Sequence, residues 1–329
     1  MMARRYKRMP DQTGLILIEL MISISLGLLV MLAATALLLS SKSAYTAQDD
    51  STRIQDTGRY AAEIISRSVR QAAYENWDRN DAPIVASAGI SANIAGLDAH
   101  SLKATTDGIT LPVASDVNGS DILAVRFFGS GTGVHGDGSM INCAGFGVAA
   151  ATSQDSADEE RGTSIFYVAR DATGEPQLYC KFYGKSGWTA QALARGVDTF
   201  QVIYGIDTDA DSLPNRYMNA SALQALDDAL VITGATAQEQ AADRNNKTWW
   251  KKVVVVRTAL LLRGTEKSRT DALTSQYDLF GSEYADLHAS TDIGTRIIEA
   301  RLPESVRNRI RKITATTIQL RNQSSGSGL

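Results

Sequence analysis

Asp207-Thr208-Asp209-Ala210-Asp211 places three carboxylates at alternate positions directly after a predicted strand. Such spacing brings hard oxygens around one point, the donor set that calcium takes. Leu213 offers a backbone carbonyl and Asn215 a side-chain oxygen to the same point. Two positions depart from an EF-hand loop: Ser212 stands where the sharp turn takes glycine, and Met218 where a bidentate glutamate closes the site. An Asp/Ser/Asn stretch is also the composition of an ordinary solvated turn, so calcium and a bare turn both stay open. Glu19 is of another kind. It is the one charge between Leu15 and Leu39, where an ionisable group is costly and needs a partner. In the first turn of a helix it would also complement the positive end of the helix dipole. Cys143 and Cys180 are the only cysteines. No histidine lies near either in sequence, whereas zinc sites show two closely spaced ligand pairs, so a disulfide is expected in an oxidising compartment.

Other chemistry finds less support. Gly131-Thr132-Gly133-Val134-His135-Gly136 has the form G-x-G-x-x-G, but Asp137 to Asn142 does not start the helix that a dinucleotide site requires. No Gly-Lys-Ser/Thr follows, and a loop before Cys143 is expected instead. His100, His135 and His288 lie far apart, and neither G-x-S-x-G nor H-E-x-x-H occurs, so nothing favours a hydrolase. Arg296, Arg301, Arg307, Arg309, Arg311, Lys312 and Arg321 gather positive charge near the C-terminus. Asp292, Glu299 and Glu304 interleave with them and no aromatic platform accompanies them, so the run reads as a solvated face and nucleic-acid binding is not expected.

The elements that must position these residues begin with Leu15–Leu39, an apolar run of about 37 Å as a helix, against a hydrocarbon core of about 30 Å. It is too long for a secretory signal core and lacks the small-residue cleavage site. Arg4, Arg5, Lys7 and Arg8 precede it, opposed only by Asp11, which keeps the N-terminus cytoplasmic and sends everything after Ser40 across the inner membrane. Beyond it, Ile54, Gly58, Ala61, Ile65, Val69 and Ala72 form a narrow apolar stripe at helical spacing, while Arg53, Asp56, Arg59, Glu63, Arg67 and Arg70 point elsewhere. No proline interrupts Leu15 to Ala73, so one long helix is expected, its small residues Gly58, Ala61, Ala62, Ala72 and Ala73 permitting close approach of a sheet.

After Asn76 the period changes to two. Strands are predicted at Asp121–Phe128, Ser164–Arg170, Gln177–Tyr183, Val197–Tyr204 and Val253–Leu262, with a hairpin turn at Gly174-Glu175-Pro176. Residues 220–247 read as a surface insertion with a short helix near Ser221–Leu230, and the tail from Asn322 as loose. With 44% hydrophobic and 21% charged residues, the part outside the membrane can build a core. The fold class is α+β: a long N-terminal helix, transmembrane then amphipathic, packed on an antiparallel β-sheet head. The divisions are a leader 1–14, a membrane half 15–39, an amphipathic half 40–75 and a head 76–329.

Thr13-Gly14-Leu15-Ile16-Leu17-Ile18-Glu19-Leu20 resembles the cleavage motif of type IV prepilins, with Leu15 where the family usually has Phe and Ile16 where it often has Thr. The resemblance implies that a prepilin peptidase cuts between Gly14 and Leu15 and that Leu15 becomes an N-methylated N-terminus. It also implies that Glu19 attracts the Leu15 amine of a neighbouring subunit during assembly. Loss of the leader would make the chain about three charges more negative than its full-length value of −3. Segments of the head are similar to the PilW group of minor pilins: Ile165–Val168, Gln177–Cys180, Gly196–Gly205, Val255–Arg263 and Arg311–Asn322. PilW-like proteins commonly carry an Asp-rich loop where Asp207–Asp211 stands. The resemblance implies a type IV pilin-like fold and a non-enzymatic part in pilus assembly, in the priming or tip complex. The implied partners are other minor pilins, the major pilin and a tip adhesin. Two rivals share some of these features: a type II secretion pseudopilin, and a membrane-anchored periplasmic enzyme in which Glu19 is incidental.

Overall fold

A computed structural model of the chain describes residues 16–72, 89–267, 269 and 275–320. Gly14, Leu15, Ala73, Arg321 and the tail lie outside the described residues. The chain falls into two compact units, Met1–Asp49 and Asp50–Leu329.

Helix α1 (Leu17–Gln71) begins in the first unit and ends in the second. Its first part has a window of mean hydropathy 2.5, none of it buried within the chain, long and apolar enough to cross a membrane. The hydroxyls of Ser23, Ser25 and Thr35 return to the carbonyls of Glu19, Met21 and Met31, four residues back, at 2.7, 2.8 and 3.0 Å. No side-chain donor in the run is therefore left facing an apolar medium.

In the second unit α1 buries Ile54, Gly58, Ala61, Ile65 and Val69, and Ala72 just past its end is buried too, so the whole predicted stripe is inside. The stripe is wider than the spacing suggested, because Asp50, Ile64, Ser66 and Ser68 are buried as well. Asp50 accepts from Thr265 Oγ1 and Glu266 N, both at 3.2 Å, and so joins α1 to the chain beyond the sheet.

The head continues through β1 (Ile94–Leu97), β2 (His100–Ser101), β3 (Val113–Ala114), β4 (Ile122–Phe127), α2 (Ala157–Glu160), β5 (Gly162–Arg170), β6 (Pro176–Gly184), β7 (Gly187–Arg195), β8 (Val197–Ile206) and β9 (Arg216–Met218). Then come α3 (Ala220–Asp228), α4 (Ala237–Lys247), β10 (Val253–Arg263), β11 (Gln276–Asp278), α5 (Ser282–His288), β12 (Arg296–Ile298) and β13 (Arg311–Gln319). A five-stranded sheet has the order β1-β4-β5-β6-β7 and a four-stranded sheet the order β13-β10-β8-β9, and every pair is antiparallel.

β8 and β10 are buried on both faces along nearly their whole length, polar residues such as Asp198, Gln201 and Arg263 included. Val256, Leu260 and Leu262 of β10 join the main core with α1, while Ala259 and Leu261 join a second cluster with Leu279, Ile297 and Leu302. The hairpin between β5 and β6 turns at residues 171–175. Asp171 Oδ1 accepts there from Thr173 N (2.8 Å) and Glu175 N (3.0 Å), and Gly174 takes φ 82°. Within the stretch read as an insertion, α3 buries Leu223 in the main core, whereas α4 buries nothing and is set by a capping box between Thr236 and Glu239.

Candidate functional site

Glu19 sits in the first turn of α1, where its carboxylate Oε2 accepts from Ile16 N at 3.3 Å. The carboxylate thus already satisfies one of the backbone donors that a helix N-terminus leaves open. The bonded amide is one residue from Leu15, which lies outside the described residues together with Gly14.

Cys143 and Cys180 are bonded to each other, with Cα atoms 5.9 Å apart. Cys180 is on β6 opposite Phe166 of β5, and both sulfurs are buried in the core that takes up α1. The glycine-rich stretch before Cys143 is a closed turn. Asp137 N donates to Ser130 O at 2.9 Å, Ser130 Oγ donates to Asp137 Oδ2 at 2.8 Å, and no helix begins at Gly136.

The loop after β8 brings Asp207, Asp209 and Asp211 together, one oxygen from each lying within 4.8 Å of the others. Asp207 accepts from the amides of Asp209 (3.0 Å), Ala210 (2.7 Å) and Ser212 (2.8 Å), which holds its carboxyl below the usual range despite the opposing effect of desolvation. Ser212 takes φ 65°, the left-handed conformation in which glycine is most at ease. Asn215 is turned inward on the loop, its oxygen accepting from Thr208 N at 2.6 Å and its amide donating to Asp209 Oδ2 at 3.2 Å.

The described parts of the five segments singled out by sequence lie on or beside β5, β6, β8, β10 and β13, strands of both sheets. Residues 165–322 match the model of the PilW family, type IV pilus-assembly protein W. Over that stretch, a little under half of its length, the chain is similar to the PilW family. No curated protein and no solved structure matches the chain. The PilW match takes in Cys180, the Asp207 loop and all strands from β6 to β13, while α1 and Cys143 precede it.

The basic run within the PilW stretch is not a solvated face. Of its described members only Arg301 is exposed. Arg311 is buried, its Nε donating to Asp198 Oδ2 at 2.7 Å and its Nη1 to Glu299 Oε1 at 3.1 Å. Arg263 pairs with the same Asp198 and with Glu175 at 2.8 Å, and Arg269 reaches Glu299 Oε2 at 2.9 Å. Arg296 is held by Asp278 at 2.7 Å and Asp286 at 2.5 Å. Arg263 and Arg311 go inside because carboxylates distant in sequence meet their guanidinium forks, the condition under which buried ions are tolerated.

A second group of carboxylates has no local signature. Asp98 follows β1, Asp121 precedes β4 and Asp292 follows α5, yet one oxygen from each lies within 4.8 Å of the other two. Asp98 accepts from Ala220 N (2.9 Å) and Ser221 N (2.7 Å) at the start of α3. Asp121 accepts from Ala99 N (3.0 Å) and Val202 N (2.9 Å), and Asp292 Oδ2 from Tyr284 Oη (2.8 Å). Burial, then the charges of Asp98 and Asp292, push the Asp121 carboxyl well above the usual range. Burial pushes Asp292 up to about 6. Gly294, at φ 100°, seats this loop against Gln201 and Asn118, where a Cβ would not fit. Nothing in the spacing of three single aspartates announces this meeting.

Proposed function

We propose that the chain is a minor pilin, anchored in the inner membrane with its N-terminus cytoplasmic and its head periplasmic until it enters a type IV pilus. The observation that carries the reading is the PilW match at 165–322, downstream of an apolar run, Leu15–Leu39, whose one charge is Glu19. Prepilin peptidase would cut between Gly14 and Leu15. The freed amine of Leu15 would then meet Glu19 of a neighbouring subunit, replacing the Ile16 amide that the carboxylate now accepts. Extraction from the bilayer is offset when the same helix is buried among neighbours, at about 25 cal/mol per Å² of apolar area kept from water. Other minor pilins, the major pilin and a tip adhesin are the partners, and the priming or tip complex the place. The role calls for no catalytic residue and no cofactor. The pilus-assembly description of the matched family favours this over a type II secretion pseudopilin or a tethered enzyme.

Mass spectrometry of the mature N-terminus tests the processing, with Leu15 and an added methyl group expected. A chain that retains Met1 to Gly14 in cells with active peptidase would contradict it. Glu19→Ala is expected to abolish incorporation into sheared pili while leaving the protein in the membrane; undiminished incorporation would argue for a simple tether.

A further inference from the structure

The Asp98, Asp121 and Asp292 group differs from ordinary structural carboxylates in three ways. A separation of 4.8 Å is the widest that two oxygens can have across an ion bound at about 2.4 Å, within the calcium–oxygen range. No Lys or Arg forms an ion pair with any of the three among the described residues, and besides the Tyr284 hydroxyl only the His288 imidazole and the Asn219 side chain offset the charge of Asp292, although Asp121 and Asp292 are 1% and 2% exposed.

The third observation does not come from the carboxylates. Tyr204 on β8 is fully buried and its hydroxyl has no hydrogen-bond partner. The hydroxyl abuts Gly96, two residues before Asp98, where a Cβ would collide with it. The charges that act on it are those of Asp98, Asp121 and Asp292. Asp292 Oδ1 is likewise buried without a partner. Orphaned polar atoms of this kind are costly unless something occupies the space between them.

We propose that Asp98, Asp121 and Asp292 hold a hard divalent cation, calcium. The donors are carboxylate oxygens, with no cysteine among them, which suits calcium better than zinc or copper. Asp292 Oδ1 supplies the free oxygen, and the Tyr204 hydroxyl faces a water that such an ion retains. Half-exposed Asp98 is the side from which the ion enters. The ion would tie the start of α3 to β4, β8 and the loop after α5, elements far apart in sequence. The site is separate from the Asp207 loop and does not depend on the pilus reading.

The test uses the full chain in detergent, stripped with EGTA, with the Asp207 loop disabled by Asp209→Asn and Asp211→Asn. These two positions are exposed, so the substitutions leave the fold intact. Calorimetric titration with calcium is expected to show a remaining site, and calcium to raise the melting temperature. Adding Asp292→Asn is expected to weaken that binding by about 100-fold or more and to remove the thermal shift. Should Asp292→Asn fail to fold, Asp98→Asn at the half-exposed edge is read in its place, with circular dichroism as the folding control. A loop-disabled chain that binds no calcium overturns the proposal, as does unchanged binding after either substitution.

Discussion

Gly58 on α1 faces Thr314 on β13 with no room for a side chain between them. A Cβ at Gly58 would collide with the Thr314 hydroxyl and stand 3.2 Å from Leu262 Cδ1. Gly58→Val is therefore expected to destabilise the head by about 1–3 kcal/mol, the usual cost of overpacking. Thr314→Ala should recover part of the loss by removing the colliding hydroxyl. Denaturant melts of the two single variants and the double variant give the coupling, and strict additivity would contradict the contact.

Arg311 bridges Asp198 and Glu299 in the interior. Arg311→Met leaves two buried carboxylates short of a partner and is expected to cost about 3–5 kcal/mol. Arg301→Met, at an exposed position, should stay within about 0.5 kcal/mol of the parent. Equal losses in the two variants would show that the buried network contributes no more than the surface charge does.

The Cys143–Cys180 bond closes a separation of 37 residues inside the core. On the chain-entropy view such a cross-link stabilises by about 4 kcal/mol. Paired replacement by serine or alanine should lower the melting temperature accordingly, and reductant should have no effect on the replaced chain.

Asp158 anchors a polar knot beneath β4. Arg161 Nη2 donates to it at 2.5 Å and Ser91 Oγ at 2.9 Å. Burial alone would raise its carboxyl, but Arg161, Arg126 and Ser91 together hold it below the usual carboxylate range. A depressed folded value means stability that is present above the ordinary carboxylate range and lost as pH falls through the lower, folded one. Wild type should therefore exceed Asp158→Asn at pH 7, with the gap closing in acid. A gap that does not narrow as pH falls would contradict this assignment.

Much of the fold was legible because burial leaves a pattern. Gly58 and its neighbours on α1 recur at helical spacing, and β5, β6, β8 and β10 are dense in β-branched and aromatic residues. β7 escaped because it is an edge strand, with only Ala194 fully buried and three alanines where strands usually carry β-branched residues. α4 escaped because it has no apolar stripe. Its one signal is Thr236 followed three residues later by Glu239, a capping box readable in advance. The basic run was misread for a different reason. Arg311 and Glu299 look like surface residues until the partners supplied by β8 and β10 are known. The meeting of Asp98, Asp121 and Asp292 is of the same sort, fixed by packing between remote strands and loops and by no local rule.

The serine and threonine hydroxyls of the membrane half of α1 are each closed onto a carbonyl of their own helix. A rod built this way presents the same greasy exterior to acyl chains and to the flanks of other rods. It can exchange one such surrounding for another without surrendering a side-chain hydroxyl bond, which leaves Glu19 as the one charged group through which the two environments can be told apart.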